Sequence, residues 1–94
     1  MIAFEEARKH PVYQHIPVQT LDALYDYVDN HSDLNRFLLS VLSNDLSETV
    51  SSGSLEDLHS LKQLMAFVAR ELPTECHGSR YRIGTWLMYK SNID

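Results

Sequence analysis

The chain has 94 residues and a net charge of −5, with 44% hydrophobic and 22% charged residues, a composition typical of a soluble globular protein. This length suits one domain and leaves no room for a second, so we expect a single domain over residues 1–94. Only three glycines and three prolines are present, which disfavours a turn-rich β fold. The negative total disfavours binding to nucleic acid or to an anionic membrane.

The N-terminal third of the chain predicts two helices joined by a short connector. The first covers Ala3 to Lys9 and is ended by His10-Pro11, because the residue before a proline avoids helical geometry. The second starts at Pro17, which suits the first turn of a helix, and runs to about Asn30. Its apolar stripe follows the i, i+3, i+4, i+7 spacing of a buried helix face: Leu21, Leu24, Tyr25 and Val28.

The middle of the chain predicts a third helix that is capped by Ser32 or Asp33. Its apolar positions follow helical spacing for two turns: Leu34, Phe37, Leu38, Val41 and Leu42. The run Ser43-Asn44-Asp45 interrupts the pattern, because these side chains compete for backbone hydrogen bonds. A short helix from about Asp45 to Ser51 follows, although one bent helix through this point fits the pattern equally well.

The C-terminal part predicts two further helices. Ser54 caps a long helix that ends at Pro73, and a last helix runs from Arg80 to about Lys90, where Gly84 is expected to permit a close helix contact. No segment shows the period of two that strands require. The predicted fold is an all-α, compact bundle of about five helices, three of them long. The inward positions are Leu58, Leu61, Leu64, Met65, Phe67, Val68 and Leu72 in the long helix and Ile83, Trp86 and Leu87 in the last.

The single cysteine, Cys76, excludes an intramolecular disulfide and most cysteine-based zinc sites. Together with a start that does not resemble a signal peptide, this predicts a reducing, cytoplasmic location. No apolar run approaches the ~20 residues of a membrane span, so no membrane association is expected. The five histidines are scattered without metal-site spacing, and neither a metal nor another cofactor is predicted.

The segment from Cys76 to Arg82 matches the C-x5-R spacing of cysteine-dependent phosphatases. In those enzymes a backbone loop at a helix N-terminus cradles phosphate, the arginine grips two oxygens, and the local field lowers the cysteine pKa. That loop normally follows a buried strand, whereas a helix is predicted before Cys76. A motif counts only in its structural context. We therefore predict a protein that is not an enzyme, with Cys76 as a small buried residue.

Acidic residues concentrate in the first half of the chain. Thr20 to Asp57 carries eight acidic residues against Arg36 alone, a net −7, whereas the residues after Asp57 carry a net +2. Four of the acids follow i, i+4, i+7, i+11 on the second helix and its extension: Asp22, Asp26, Asp29 and Asp33. A solvated face explains this stripe; the functional alternative, our leading hypothesis, is a docking surface for another protein with a basic surface.

The last helix offers an alternative function, contact with nucleic acid, because it places Arg80, Arg82 and Lys90 among aromatic residues. At about 100° per residue these three cations point in different directions and form no single stripe. The acidic total of the chain also disfavours such contact.

Three groups of segments occur in a characteristic order and spacing between residues 16 and 87: Ile16-Pro17 with Leu21, Leu24 and Tyr27-Val28; Phe37-Leu38 with Val41-Leu42-Ser43-Asn44-Asp45-Leu46; and Leu72-Pro73 with Cys76-His77-Gly78-Ser79 and Trp86. In these segments the chain resembles a family of small uncharacterised proteins encoded by bacteriophages, prophages and plasmids. The resemblance implies a mobile-element origin, and hence a host bacterial cytoplasm, but no known activity, so it transfers no functional residue. The acidic stripe and the absence of an assembled catalytic set favour a non-enzymatic interaction or regulatory protein. The resemblance adds the expectation that it acts on a host or phage macromolecule.

Overall fold

The computed structural model describes the backbone of residues 1–93 and the side chains of residues 1–88. Within that part the chain forms α-helices, one 3-10 turn and no strand, which confirms the all-α prediction. Seven helices are described where about five were predicted, and the three long ones are α2, α6 and α7, of 13, 11 and 14 residues. The helices are α1 (Phe4–Lys9), α2 (Val18–Asn30), α3 (Arg36–Leu42), α4 (Leu46–Ser52), α5 (Leu55–His59), α6 (Leu61–Glu71) and α7 (Arg80–Ile93).

The long helix predicted after Ser54 is divided into α5 and α6. Ser54 does cap α5, through a reciprocal pair of 3.0 Å bonds in which each of Ser54 and Asp57 donates its backbone N–H to the other's side chain. At Ser60 the backbone leaves helical geometry, with φ −103° and ψ 13°. Leu64, Phe67 and Val68 of α6 are buried as predicted, whereas Met65, also predicted to face inward, is 38% exposed.

The polar run between α3 and α4 separates two helices and does not bend one. Asn44 adopts a left-handed φ of 62°, which asparagine tolerates better than most residues. Asp45 then caps α4 by accepting the N–H of Glu48 at 3.1 Å. The predicted cap of α3 is wrong, because Asn35 and neither Ser32 nor Asp33 fills that position.

The core is centred on aromatic residues of α2, α6 and the connector before α2. Phe67 is fully buried, and its ring contacts that of Tyr13 edge-on with the centroids 5.1 Å apart. Tyr13 lies in the segment predicted to be a simple connector, yet it is only 1% exposed. The other buried apolar residues are Ala7, Ile16, Leu21, Leu24, Tyr27, Phe37, Leu38, Val41, Leu42, Leu64, Val68, Leu72, Cys76 and Ile83.

Candidate functional site

Three aspartates of α2 lie on an exposed surface that we call the acidic face, defined by Asp22, Asp26 and Asp29. They surround a depression of about 460 Å³. None of the described residues that line this depression is basic. The same helix buries Leu21, Leu24 and Tyr27, so the acidic face is held by an element anchored in the core. The remaining lining residues are Phe4, Tyr25 and Asn30.

Asp33, predicted to continue the stripe, is not part of the acidic face. His31 adopts a left-handed conformation with φ 54° and ends α2, as is common one residue past a helix. The His31 Nδ1 lies 2.8 Å from the backbone oxygen of Trp86 in α7, a contact between distant parts of the chain. Asp33 is exposed in the segment between α2 and α3, so the helical site comprises three carboxylates.

The pKa of Tyr25 reports a negative electrostatic field beside the acidic face. Burial, the largest cause, and the negative charges of Glu71, Asp29 and Glu6 together raise this pKa to about 12. The ring of Tyr25 packs edge-on against that of Phe4, with the centroids 5.3 Å apart. The aromatic floor of the depression therefore lies where nearby negative charge opposes the loss of a further proton.

Of the basic residues predicted on the last helix, the structure describes the side chains of Arg80 and Arg82, and these contact different parts of the chain. Arg80 lies 3.4 Å from the carboxylate of Asp45, and both side chains are partly exposed. Arg82 donates through Nη1 to the backbone carbonyl of Thr74 at 3.2 Å. The Lys90 side chain lies outside the described residues. The two described arginines thus make intramolecular contacts in different directions.

Cys76 occupies a 3-10 turn, Thr74–Cys76, and not a phosphate-binding loop after a strand. It is fully buried, and its Sγ donates to the carbonyl of Pro73 at 3.1 Å. Burial raises the pKa of the thiol to about 12, so the thiol is protonated at neutral pH. The Arg82 side chain of the C-x5-R pattern donates to backbone carbonyls of the same loop. This arrangement gives the pattern a structural role.

The loop after Pro73 joins distant helices through hydrogen bonds. The Tyr27 hydroxyl donates to the carbonyl of Cys76 at 2.7 Å, and the Gly78 N–H donates to the carbonyl of Leu42 at 2.6 Å. Trp86, predicted to be a core residue, is partly buried and donates its Nε1–H to the carbonyl of Tyr27 at 3.0 Å. All five residues belong to the three groups of segments named in the sequence analysis. These hydrogen bonds give the five residues a structural role.

Within the described residues, no group of three or more His, Cys, Asp or Glu is arranged to hold a metal ion. None of the described helices combines the length and apolarity needed to cross a bilayer. Comparison with protein-family models, curated proteins and solved structures finds no match.

The buried hydroxyl and thiol groups predict that the domain loses stability at alkaline pH. Burial raises the pKa of Tyr27 well above its usual range and that of Cys76 from 9.0 to about 12, so the unfolded chain releases these protons at lower pH than the folded one. Their contribution is complete below pH 9 and declines as the pH rises toward 12. We expect the melting temperature, followed by circular dichroism, to fall steadily above about pH 9.

Cys76→Ala should lessen this decline without abolishing it, because it removes one of the groups whose pKa burial raises, while Tyr13, Tyr25 and Tyr27 remain. Tyr81→Phe is the matched control, since Tyr81 is 82% exposed and the change removes a hydroxyl that no described contact uses. A melting temperature that stays constant up to about pH 11 would contradict the prediction.

Proposed function

We propose that this chain is a non-enzymatic interaction protein that binds a host or phage protein with a basic surface through its acidic face. The observation that carries the proposal is the grouping of Asp22, Asp26 and Asp29 around one depression without a lining base. The mobile-element origin, and with it a place in the host bacterial cytoplasm, rests on the family resemblance. The buried, protonated thiol of Cys76 supports the non-enzymatic part.

Folding does not explain the acidic face. Like charges at i, i+4, as at Asp22 and Asp26, weaken a helix by a few tenths of a kcal/mol. Exposed carboxylates add little to stability even when they are paired. The Asp26 carboxylate accepts a 2.7 Å hydrogen bond from the side-chain amide of Asn30, one turn further along the same helix. A surface that slightly disfavours folding is consistent with selection for binding.

The aromatic residues in the depression favour lysine or arginine as the contacting groups of the partner. Phe4 and Tyr25 offer apolar surface to the aliphatic part of a long basic side chain. Their rings also attract a cation, and the guanidinium carbon of Arg8 already lies 6.0 Å from the centre of the Phe4 ring. The aromatic rings can contact the aliphatic part of such a side chain while the carboxylates bind its charged end. We therefore propose a Lys/Arg-rich segment as the bound part of the partner.

The combined change Asp22→Asn, Asp26→Asn and Asp29→Asn tests this function. It should leave the free energy of unfolding within about 1 kcal/mol of the parent, because the three side chains are exposed. We expect a short arginine-rich peptide, added during an NMR titration, to shift the amide signals of α2 in the parent. The triple variant should lose those shifts, and raising the salt concentration should weaken them in the parent.

A matched control replaces three exposed acids elsewhere, by Asp33→Asn, Glu56→Gln and Glu75→Gln. It changes the net charge by the same amount while preserving the acidic face. If the control variant loses peptide binding as completely as the first variant, only the total charge matters and the acidic face is not the docking site. Shifts spread evenly over all helices would contradict the proposal in the same way.

A further inference from the structure

A second surface cleft, of about 270 Å³, lies between the connector before α2 and helix α6. It is lined mainly by basic, amide and small apolar side chains, and none of its lining residues is acidic. We call it the basic cleft. Its principal lining residues are Val12, His15, Lys62, Gln63, Ala66 and Arg70.

Among the described side chains, no carboxylate forms an ion pair with the cations of the basic cleft. Lys62 and Arg70 are exposed and take part in no ion pair among the described side chains. The nearby carboxylate of Glu71 accepts hydrogen bonds from the Tyr13 hydroxyl at 3.1 Å and from the N–H of Ile2 at 3.2 Å. Arg70 lies close enough to Tyr13 to act on its pKa, which it lowers against the larger effect of burial. The guanidinium therefore lies at the cleft and within reach of the Tyr13 hydroxyl, and it forms no ion pair among the described side chains.

The spacing on α6 lets two cations converge on one position. Lys62, Ala66 and Arg70 follow i, i+4, i+8 and lie along one side of the helix, about 12 Å from end to end. Ala66, midway, is small and leaves space for a ligand between two long side chains. Gln63 lines the cleft; its Oε1 is buried without a hydrogen-bond partner among the described residues, and its NH₂ group can supply two N–H donors.

We propose that the basic cleft binds a small organic phosphate monoester. A guanidinium matches the oxygens of phosphate in pairs, and an ammonium adds a mobile point charge. His15 and Gln63 supply further donors, while Val12 and Ala66 offer apolar surface to the organic group. The cleft volume lies below the 300–1,000 Å³ of sites for drug-sized ligands, which limits the ligand to about ten non-hydrogen atoms. This site is separate from the acidic face, so either can fail without the other.

Phenyl phosphate is the probe, added to the full chain and followed by NMR. We expect saturable shifts of the His15 ring and the Gln63 side-chain amide, with a Kd on the order of 1 mM for so small a ligand. Inorganic phosphate should bind several-fold more weakly, since it lacks the apolar group. Lys62→Gln and Arg70→Gln should each weaken binding at least about fivefold. Arg36→Gln, the same charge change at an exposed arginine on α3, should leave binding unchanged.

Three results would overturn the assignment. The first is the absence of saturable shifts at about ten times the expected Kd. The second is an equal loss of affinity in Arg36→Gln, which would reduce the effect to net charge. The third is benzoate binding as tightly as phenyl phosphate, which would remove the preference for phosphate. Lys62 is exposed and takes part in no ion pair among the described side chains, so we expect Lys62→Gln to retain the fold. An unchanged circular dichroism spectrum of this variant shows that a loss of binding is not caused by unfolding.

Discussion

Replacing Phe67 by alanine is expected to bring the domain to the edge of unfolding. The Phe67 side chain is fully buried, and its ring centroid lies 5.1 Å from that of Tyr13 and 5.9 Å from that of Tyr25. Removing a buried phenyl ring costs about 3–5 kcal/mol, because apolar burial is lost and a cavity remains. A domain of this size has a total stability of about 5–15 kcal/mol. Urea unfolding followed by circular dichroism measures the loss.

The control for Phe67 lies half a turn earlier on α6. Met65 is 38% exposed, so Met65→Ala should cost less than about 1 kcal/mol. The comparison separates core packing from helix propensity, since both changes introduce alanine into the same helix. Equal losses in the two variants would show that α6 packs with a different face inward.

Gly78→Ala is expected to destabilise the domain by about 1–3 kcal/mol, through backbone strain. Gly78 has φ +110°, which side-chain-bearing residues rarely adopt, and an added Cβ would lie 3.2 Å from the Arg82 Nη1. Rotating φ to relieve the strain would displace the N–H that donates to Leu42 at 2.6 Å. The measurement is the midpoint of denaturant unfolding.

Gly84→Ala is the same type of substitution as Gly78→Ala, but the opposite effect on stability is expected. An added Cβ at Gly84 meets no atom within 4 Å, so the predicted close helix contact at this glycine is wrong within the described chain. In an exposed helix, alanine is more favourable than glycine by about 0.5–1 kcal/mol. Gly84→Ala should therefore raise stability. A loss in Gly84→Ala comparable to that in Gly78→Ala would mean that helix propensity does not govern this position.

Local chemistry made several helix ends predictable from sequence. Pro17 precedes α2 and Pro73 follows α6, as the fixed φ of proline and its missing N–H require. The reciprocal bonds of Ser54 and Asp57 use groups three residues apart, so no distant contact is needed to position them. In each case the determining atoms lie within one turn of the helix end.

Other boundaries depend on contacts between distant residues and could not be predicted. Several cap-forming residues lie between Ser32 and Asn35, and the choice of Asn35 follows from the turn at His31, which contacts the Trp86 carbonyl 55 positions later. The break at Ser60 falls within an apolar pattern that remains helical on both sides. A periodic pattern does not register such a break.

The candidate sites also combine features that local spacing predicts with features that depend on contacts between distant residues. The spacing of Asp22, Asp26 and Asp29 predicts a shared helix face, and all three are exposed on α2. The two aromatic residues that line the depression meet only because α1 packs onto α2, which brings Phe4 against Tyr25. No local pattern encodes that contact. The cations of the basic cleft also share a visible helical spacing, but the opposite wall comes from the connector.

The hydrogen bonds of the loop after Pro73 also bear on the route by which the chain folds. The bond from Tyr27 to Cys76 spans 49 positions, and that from Trp86 to Tyr27 spans 59. Helices α1, α3, α4 and α5 have only 5–7 residues, and isolated helices shorter than about 12–15 residues are marginal in water. These short helices therefore form together with the long-range contacts. Closing such large loops costs conformational entropy, which lowers the folding rate. We expect helical circular dichroism and Trp86 fluorescence to change at one common rate during folding.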